Sequence, residues 1–448
     1  MSSNDKPCMR ARHLENAGLL LRINNQLREG LRSILAAAVY LTFAANNCEV
    51  GKAAVIAQDT LQTAVAAPAD LIDKDDFFDV FIAGKFSYDD NVYRLSPGVT
   101  NLETLNGIGP HPSRQDHIDS TSLGLDGQWS SGRQTVIVDL RADSNRFQIN
   151  NNLNNTSNND KVVWNWDLAG ILTGQVGATY DNGLASFVNA TVYSRNIIAT
   201  TSYFGSGRYQ VGPHWAIFGG VIDSGTTLTA LASGVNDSHS KSVEFGTECV
   251  ASVKDTLGVG YRYTDVGYPP SLGGNDDFRE DIAYFYSKHA FSEKTSIDGS
   301  VGYLKRDYAD LSIDSFSGDI WSVSLQWRPT EKLQLRADGW RRLQAYVTAQ
   351  SDYFVSKGGS IAPSWTASEK VVFAFRWSLE DQDYIPGAGE SLMGDRRDTL
   401  NLRQATLTYT PAHFLIVNLA YGYEKRDSNM VQYSYDDRLV SAKVTGKF

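Results

Sequence analysis

From Phe77 to the C-terminus the chain alternates apolar and polar residues in segments of about 10–14 residues. In Thr121–Trp129, Leu123, Leu125 and Trp129 share one face, and Ser122, Asp126 and Gln128 the other. Val136, Val138 and Leu140 oppose Ile137, Asp139 and Arg141. Val243, Phe245 and Cys249 oppose Glu244, Gly246 and Glu248. Val259, Tyr261 and Tyr263 oppose Gly258, Gly260 and Arg262. The pattern recurs in 321–327, in 371–380, where Phe373, Phe375 and Trp377 oppose Ala374 and Arg376, and in 415–424. Period two makes each segment a strand with one apolar face.

Length separates a membrane strand from a soluble one. A strand crossing a bilayer at a tilt needs about 9–11 residues, against about 5–6 in globular sheets. The connections also alternate in length. Short ones are expected at 130–132, 173–174, 212–214, 253–255, 292–294, 329–331, 366–368 and 411–413, each rich in turn-forming residues. Between them lie long polar connections at 89–116, 147–159, 185–193, 226–237, 267–276, 306–314 and 382–396. The count is eighteen strands, which puts both termini on the short-turn side. The fold class expected is all-β, a transmembrane antiparallel up-and-down barrel over 77–448 in the outer membrane of a Gram-negative bacterium. Closure follows because lipid offers the backbone no hydrogen bonds.

The last strand carries Val440, Ala442, Val444, Gly446 and Phe448 on one face, with Lys443 and Lys447 on the other. A C-terminal Phe on such a strand resembles the signal that barrel-assembly machinery reads, so Phe448 is the expected assembly signal.

Ahead of the barrel, Ile34–Ala45 is twelve uncharged residues flanked by Arg28 and Arg32. It is too short to span a bilayer and suits the apolar core of a signal peptide, with a buried core helix as the alternative. Residues 1–66 are read as a polar segment and signal peptide, with cleavage after Ala44 or Ala45, Ala57 or Ala66. Residues 67–76 form a short periplasmic lead-in.

Composition narrows the function classes. The mean hydropathy of −0.30 excludes a bundle of membrane helices. A net charge of −10 argues against nucleic acid as a partner. Aromatic residues at 11% and only 12 Pro among 448 residues suit a long-stranded sheet with ring girdles. Cys8 and Cys48 fall in the N-terminal segment, which leaves Cys249 alone and implies no disulfide. The seven His give no metal spacing, no cofactor is expected, and neither a nucleophile elbow nor a phosphate loop occurs. Gly205-Ser206-Gly207 reads as a kink within a strand, and a Ser/His pair built in space from His239 or His289 lacks support in the spacing. The chain is therefore read as a channel rather than an enzyme.

The residues opposite the apolar face are the candidate lumen wall: Lys85, Asp126, Asp139, Arg141, Glu244, Glu248, Arg262, Asp298, Arg336, Asp338, Arg376, Lys443 and Lys447. Rings of charge set selectivity in pores, though mutually paired wall residues would look the same in sequence. Arg336, Arg341 and Arg342 form an Arg-rich stretch that would favour an anionic polymer, against which the Asp and Glu of the same wall count. The longest connection, 89–116, either folds inward as a constriction or stays on the surface. The Asn-rich run 150–159 reads as a flexible polar loop, with sugar binding as the alternative.

The segment Phe86-Ser87-Tyr88-Asp89-Asp90-Asn91-Val92-Tyr93-Arg94-Leu95 resembles the start of a known family. With Gly260-Tyr261-Arg262-Tyr263-Thr264-Asp265, Val163–Leu168 and Leu325–Thr330, it is similar to the exopolysaccharide-biosynthesis outer-membrane protein EpsL family and related β-barrel porins. The resemblance spans about 77–448 and implies export of a secreted polysaccharide. The partners it implies are outer-membrane lipid, the polymer, barrel-assembly machinery and periplasmic export proteins. A general diffusion porin and a non-conducting scaffold of a secretion system are the alternatives.

Overall fold

A computed structural model describes residues 77–188, 190, 192–229, 237–269, 277–309, 315–345, 353–385 and 396–448. The expected signal peptide and lead-in lie outside the described residues. The described chain forms one sheet of eighteen strands: β1 Phe77–Asp89, β2 Asp116–Ser131, β3 Gln134–Phe147, β4 Asn155–Leu168, β5 Leu172–Leu184, β6 Ile197–Val211, β7 Trp215–Leu228, β8 Ser238–Ser252, β9 Asp255–Gly267, β10 Phe278–Ser292, β11 Thr295–Tyr308, β12 Phe316–Trp327, β13 Leu333–Ala345, β14 Tyr353–Ser368, β15 Val371–Ile385, β16 Arg397–Ala412, β17 Leu415–Ser428 and β18 Tyr435–Lys447. Every strand pairs antiparallel with its sequence neighbours, and β18 pairs back onto β1. The sheet is a closed barrel with no free edge. At the seam Phe448 donates its N–H to Val80 O at 2.8 Å, and Val80 N–H donates to Phe448 O at 3.2 Å.

Outward positions are the apolar ones of the alternation. Phe78, Val80 and Ile82 of β1 are exposed, as are Trp215, Ile217 and Val221 of β7 and Phe373, Phe375 and Trp377 of β15. In water such a surface would be an aggregation site, whereas acyl chains solvate it. Among the described residues no helix is long and apolar enough to cross a membrane.

Turns and loops segregate to opposite ends. Even the shortest of the long connections, 429–434, exceeds the longest turn, 328–332. Several expectations shift here. The turn expected at 173–174 lies at 169–171, where Ala169 and Gly170 take φ of 57° and 71°. Asp167 Oδ1 accepts the Gly170 N–H at 2.5 Å and closes this turn. Gly174 sits instead within β5, where a Cβ would lie 2.4 Å from the Trp166 ring and 2.3 Å from Ser206 O. Its glycine serves a close approach rather than a bend.

The turns expected at 366–368 and 411–413 are bulged strand ends, and the chain reverses at 369–370 and 413–414. Pro411, which has no N–H for the ladder, is accommodated at the bulge. The second half of the Asn-rich run is strand, because β4 begins at Asn155. Asn145 Nδ2 donates to Asn155 Oδ1 at 3.1 Å and to Ser157 Oγ at 3.2 Å, so inward amides form a cross-strand ladder. Gly205-Ser206-Gly207 pairs without a register shift on both sides, so β6 has no kink in its pairing there.

Candidate functional site: the inner wall and its mouth

Strand register places all thirteen sequence-derived wall residues on the face opposite the exposed apolar side chains. Arg341, grouped in the sequence with Arg336 and Arg342, has the outward register and pairs with Asp319 at 3.1 Å. The Arg-rich stretch is thus split between two faces. His239 bonds Asp223 at 2.8 Å near the loop end of β8, and His289 bonds Asp255 near the turn end of β10. The two histidines share no site.

Several wall residues are brought together. Arg262 Nη2 meets Glu244 Oε1 at 2.9 Å, and Arg336 Nε meets Asp338 Oδ1 at 2.8 Å. Lys447 Nζ lies 3.5 Å from Asp79 and 3.7 Å from Asp126. Arg141 Nη2 pairs with Asp143 Oδ1 at 2.9 Å. Lys288 and Asp298 are register partners. The wall carries both signs at short range, and the pairing is largely local.

Sequence reasoning missed the tyrosines of this wall. Tyr284 and Tyr286 occupy inward positions of β10, where the alternation expected polar groups. Their register partners are Gly260 and Gly258. A Cβ at either glycine would come within 2.4 Å of the facing ring, so each ring lies flat on its neighbour strand. The hydroxyls then reach two strands away: Tyr284 donates to Glu244 and Tyr286 to Glu248, each at 2.5 Å. Arg208 closes the group on Glu248. Gly177 beneath Phe204, Gly246 beneath Phe218 and Gly358 beneath Trp340 repeat the device. Bulky rings are held along the wall instead of across the lumen. Glycines facing aromatics on paired strands are the signal that would have found this.

The mouth is built differently. Connection 90–115 folds inward at its root. Tyr93 and Leu95 are fully buried and cluster with Val92, Phe187, Leu153 and the inward-facing Phe147 of β3. Asp116 accepts the backbone N–H groups of Gln148, Ile149 and Asn150, which ties this loop to the next. Asn91 Nδ2 donates to Leu95 O at 3.0 Å and to Asp436 O at 2.8 Å, and its Oδ1 accepts the Leu95 N–H at 2.9 Å. Arg94, at a φ of 54°, bridges Asp89 and Asp437, each at 3.1 Å. Burial alone would lower the Arg94 pKa, and the Asp89 and Asp437 carboxylates outweigh it, so the guanidinium is held above its ordinary value. The Asp89–Leu95 part of the segment that carries the family resemblance therefore folds the loop at the mouth. Of the two readings of 89–116, the inward one fits.

Opposite, the wall is doubled. Pairing of β12 with β13 stops at Trp321 and Arg341, while β13 stays paired with β14 up to Ala345 and Tyr353. Beyond Trp321 and Arg341 the β13–β14 pair parts from β12. Tyr353, Phe354, Val355 and Ser356 are buried on both faces. A strand in a single wall would show lipid one of those faces. Tyr353 stacks on the inward Tyr308 at 6.0 Å and meets Phe316 edge-on at 5.7 Å. Val355 and Leu343 join Phe278, Ile282 and Leu304 in one cluster. The β13–β14 tip thus curls inside the wall formed by β10–β12. Behind it Arg396 stacks on Tyr384 at 4.1 Å and on Tyr433 at 3.6 Å, and pairs with Asp398 at 2.5 Å.

These features define a transmembrane β-barrel with a charged inner face and a mouth narrowed from two sides. The barrel assignment rests on strand pairing and the outward apolar face. A family model described as "Putative beta-barrel porin 2" matches residues 288–448, the C-terminal third of the chain. Among curated proteins none matches. The chain is similar to the outer membrane protein OpdK of Pseudomonas aeruginosa, at 9% identity and a TM-score of 0.45 over 83% of this chain and 99% of that one. It is similar also to OccK3 (OpdO) of the same species, at 10% and 0.44 over 84% and 96%. OccAB3 of Acinetobacter baumannii gives 10% and 0.44 over 84% and 100%.

Proposed function

We propose that the protein is an outer-membrane channel through which small polar solutes diffuse. The observation that carries this reading is the closed barrel of eighteen strands with flattened aromatic rings and paired charges on its inner face. Barrels of 16–18 strands leave an aqueous lumen. The inward loop and the curled β13–β14 tip favour solutes of small cross-section. Purified protein in planar bilayers should give stable current steps in KCl, and proteoliposomes should swell in small sugars. A correctly folded barrel that passes no current would sink the reading.

Polysaccharide export is the second reading, and it rests on the sequence resemblance. Deleting the gene should then abolish surface polymer while its precursors persist. Unchanged surface polymer would remove it. Residues 1–66 complete the proposal as the export segment, and N-terminal sequencing of the mature protein checks the cleavage site.

A further inference from the structure

On the outer face, strands β14–β18 and β1 form an apolar groove of about 680 Å³. Phe373 stacks on Trp365 at 5.6 Å along one side, and Tyr421 and Phe86 stand at the other. Small residues make the floor. Ala405 lies between its register partners on β15 and β17, Phe375 and Tyr421. Ala442 lies between Leu419 and Phe86. The groove crosses five strand spacings, roughly 24 Å at about 4.8 Å each. That is broader than a lipid with two acyl chains needs.

The row of register partners just above the groove, toward the loops, is Trp377, Arg403, Tyr423 and Arg438. Both charged groups in it are cations. Carboxylates begin one row higher, with Asp436 opposite Lys425. Asn401 Oδ1 accepts the Arg403 Nε–H and the Trp377 Nε1–H, each at 3.2 Å, which orients both side chains. The Arg403 guanidinium lies 5.8 Å from the Tyr423 ring centre. Among the described residues Arg403 has no carboxylate partner. Arg438 Nη1 is 3.9 Å from Asp90, a loose pair on an exposed side chain.

Depth gives these cations their meaning. Arg403 stands nine residues above Ala412, the turn end of β16, which is about 23 Å at about 3.4 Å per residue and a tilt near 40°. The apolar band of such barrels is about 25 Å tall, so Arg403 marks its upper border. A charge on the lipid face at that border calls for a counter-charge, and the protein supplies none to Arg403.

We propose that this face binds lipopolysaccharide, with acyl chains of lipid A in the groove and its phosphates on Arg403 and Arg438. Guanidinium groups pair bidentately with phosphate oxygens. Trp377 and Tyr423 place amphipathic rings at headgroup level. Arg403 and Arg438 are two strands apart, roughly 10 Å, which suits phosphates at the two ends of a diglucosamine. The loops mark the external leaflet, where this many-chained lipid resides. The site lies outside the lumen and does not rest on the channel reading.

Native mass spectrometry of the full-length barrel in mild detergent tests it. Hexa-acylated bisphosphoryl lipid A should give a one-to-one adduct. Arg403→Gln combined with Arg438→Gln should weaken that adduct at least tenfold. Ala405→Trp, which fills the groove and changes no charge, should weaken it several-fold. Arg397→Gln removes one exposed charge at the loop end and should leave it unchanged. Lipid A stripped of phosphate, and phosphatidylglycerol, should each bind the parent protein at least tenfold more weakly. Equal binding of either lipid overturns the proposal, and so does undiminished lipid A binding in the double Arg variant. A stable dimer that Ala405→Trp dissociates would give the groove to a second copy instead. Gel-shift of the folded band shows that the variants assemble. Should the Arg variant fail to fold, the phosphate-free lipid and Ala405→Trp still decide.

Discussion

At the scale of single residues, the inner wall turns on glycines that face aromatics. Gly260 lets the Tyr284 ring lie flat and reach Glu244, which in turn holds Arg262 at 2.9 Å. A methyl there would lie 2.4 Å from the phenol end of the ring and lift it into the lumen. Gly260→Ala should destabilise the folded barrel by about 1–3 kcal/mol, as overpacking does, and lower the single-channel conductance. Gly84→Ala is the control, since nothing lies within 4 Å of its Cβ position. Both are read from the temperature at which the folded band is lost on a gel, and equal midpoints would refute the account. The Glu244–Arg262 pair gives a further check. Arg262→Met should cost about 3–5 kcal/mol because a buried carboxylate loses its counter-charge. Adding Glu244→Gln should recover part of the loss. These residues were half legible in the sequence. Alternation put Glu244 and Arg262 on one face, but tyrosines are apolar enough to count toward either face. Only cross-strand register shows that Tyr284 faces Gly260.

At the scale of elements, the strands and turns were the readable part, because period two and turn chemistry are local. The departures have local causes as well. Glycine commonly bends chains, which makes Gly174 look like a turn in the sequence, whereas in the barrel it admits the Trp166 ring. The inward curl of β13–β14 could not be read, since both its faces are apolar enough to pass for a membrane strand end. Its docking depends on Tyr353, Val355 and Leu343 meeting Phe278, Ile282 and Leu304 of strands that precede it in the chain. Replacing Tyr353 and Leu343 together by Ala should free the tip. Each truncation removes about 2–5 kcal/mol of packing. Bilayer recordings should then show a larger open conductance and more frequent closures, and traces identical to the parent would show that the tip constricts nothing.

At the scale of the whole molecule, the barrel is one closed ladder whose seam joins the first strand to the last. Phe448 bonds Val80 through both backbone groups, yet its side chain stays 80% exposed. Removing Phe448 should therefore lower the amount of protein assembled in the outer membrane several-fold while hardly moving the melting point of what does assemble. A deletion that assembles at parental levels would remove Phe448 as an assembly signal. The sequence by itself determined the class of fold, the number of strands and which face of each meets lipid, because those follow from local periodicity and from the backbone's need for partners in hydrocarbon. Tertiary structure alone decided which charges neutralise one another, which rings lie flat, and what narrows the mouth. Those depend on register between strands and on loops folding back over them, and neither is written in the pattern of any single segment.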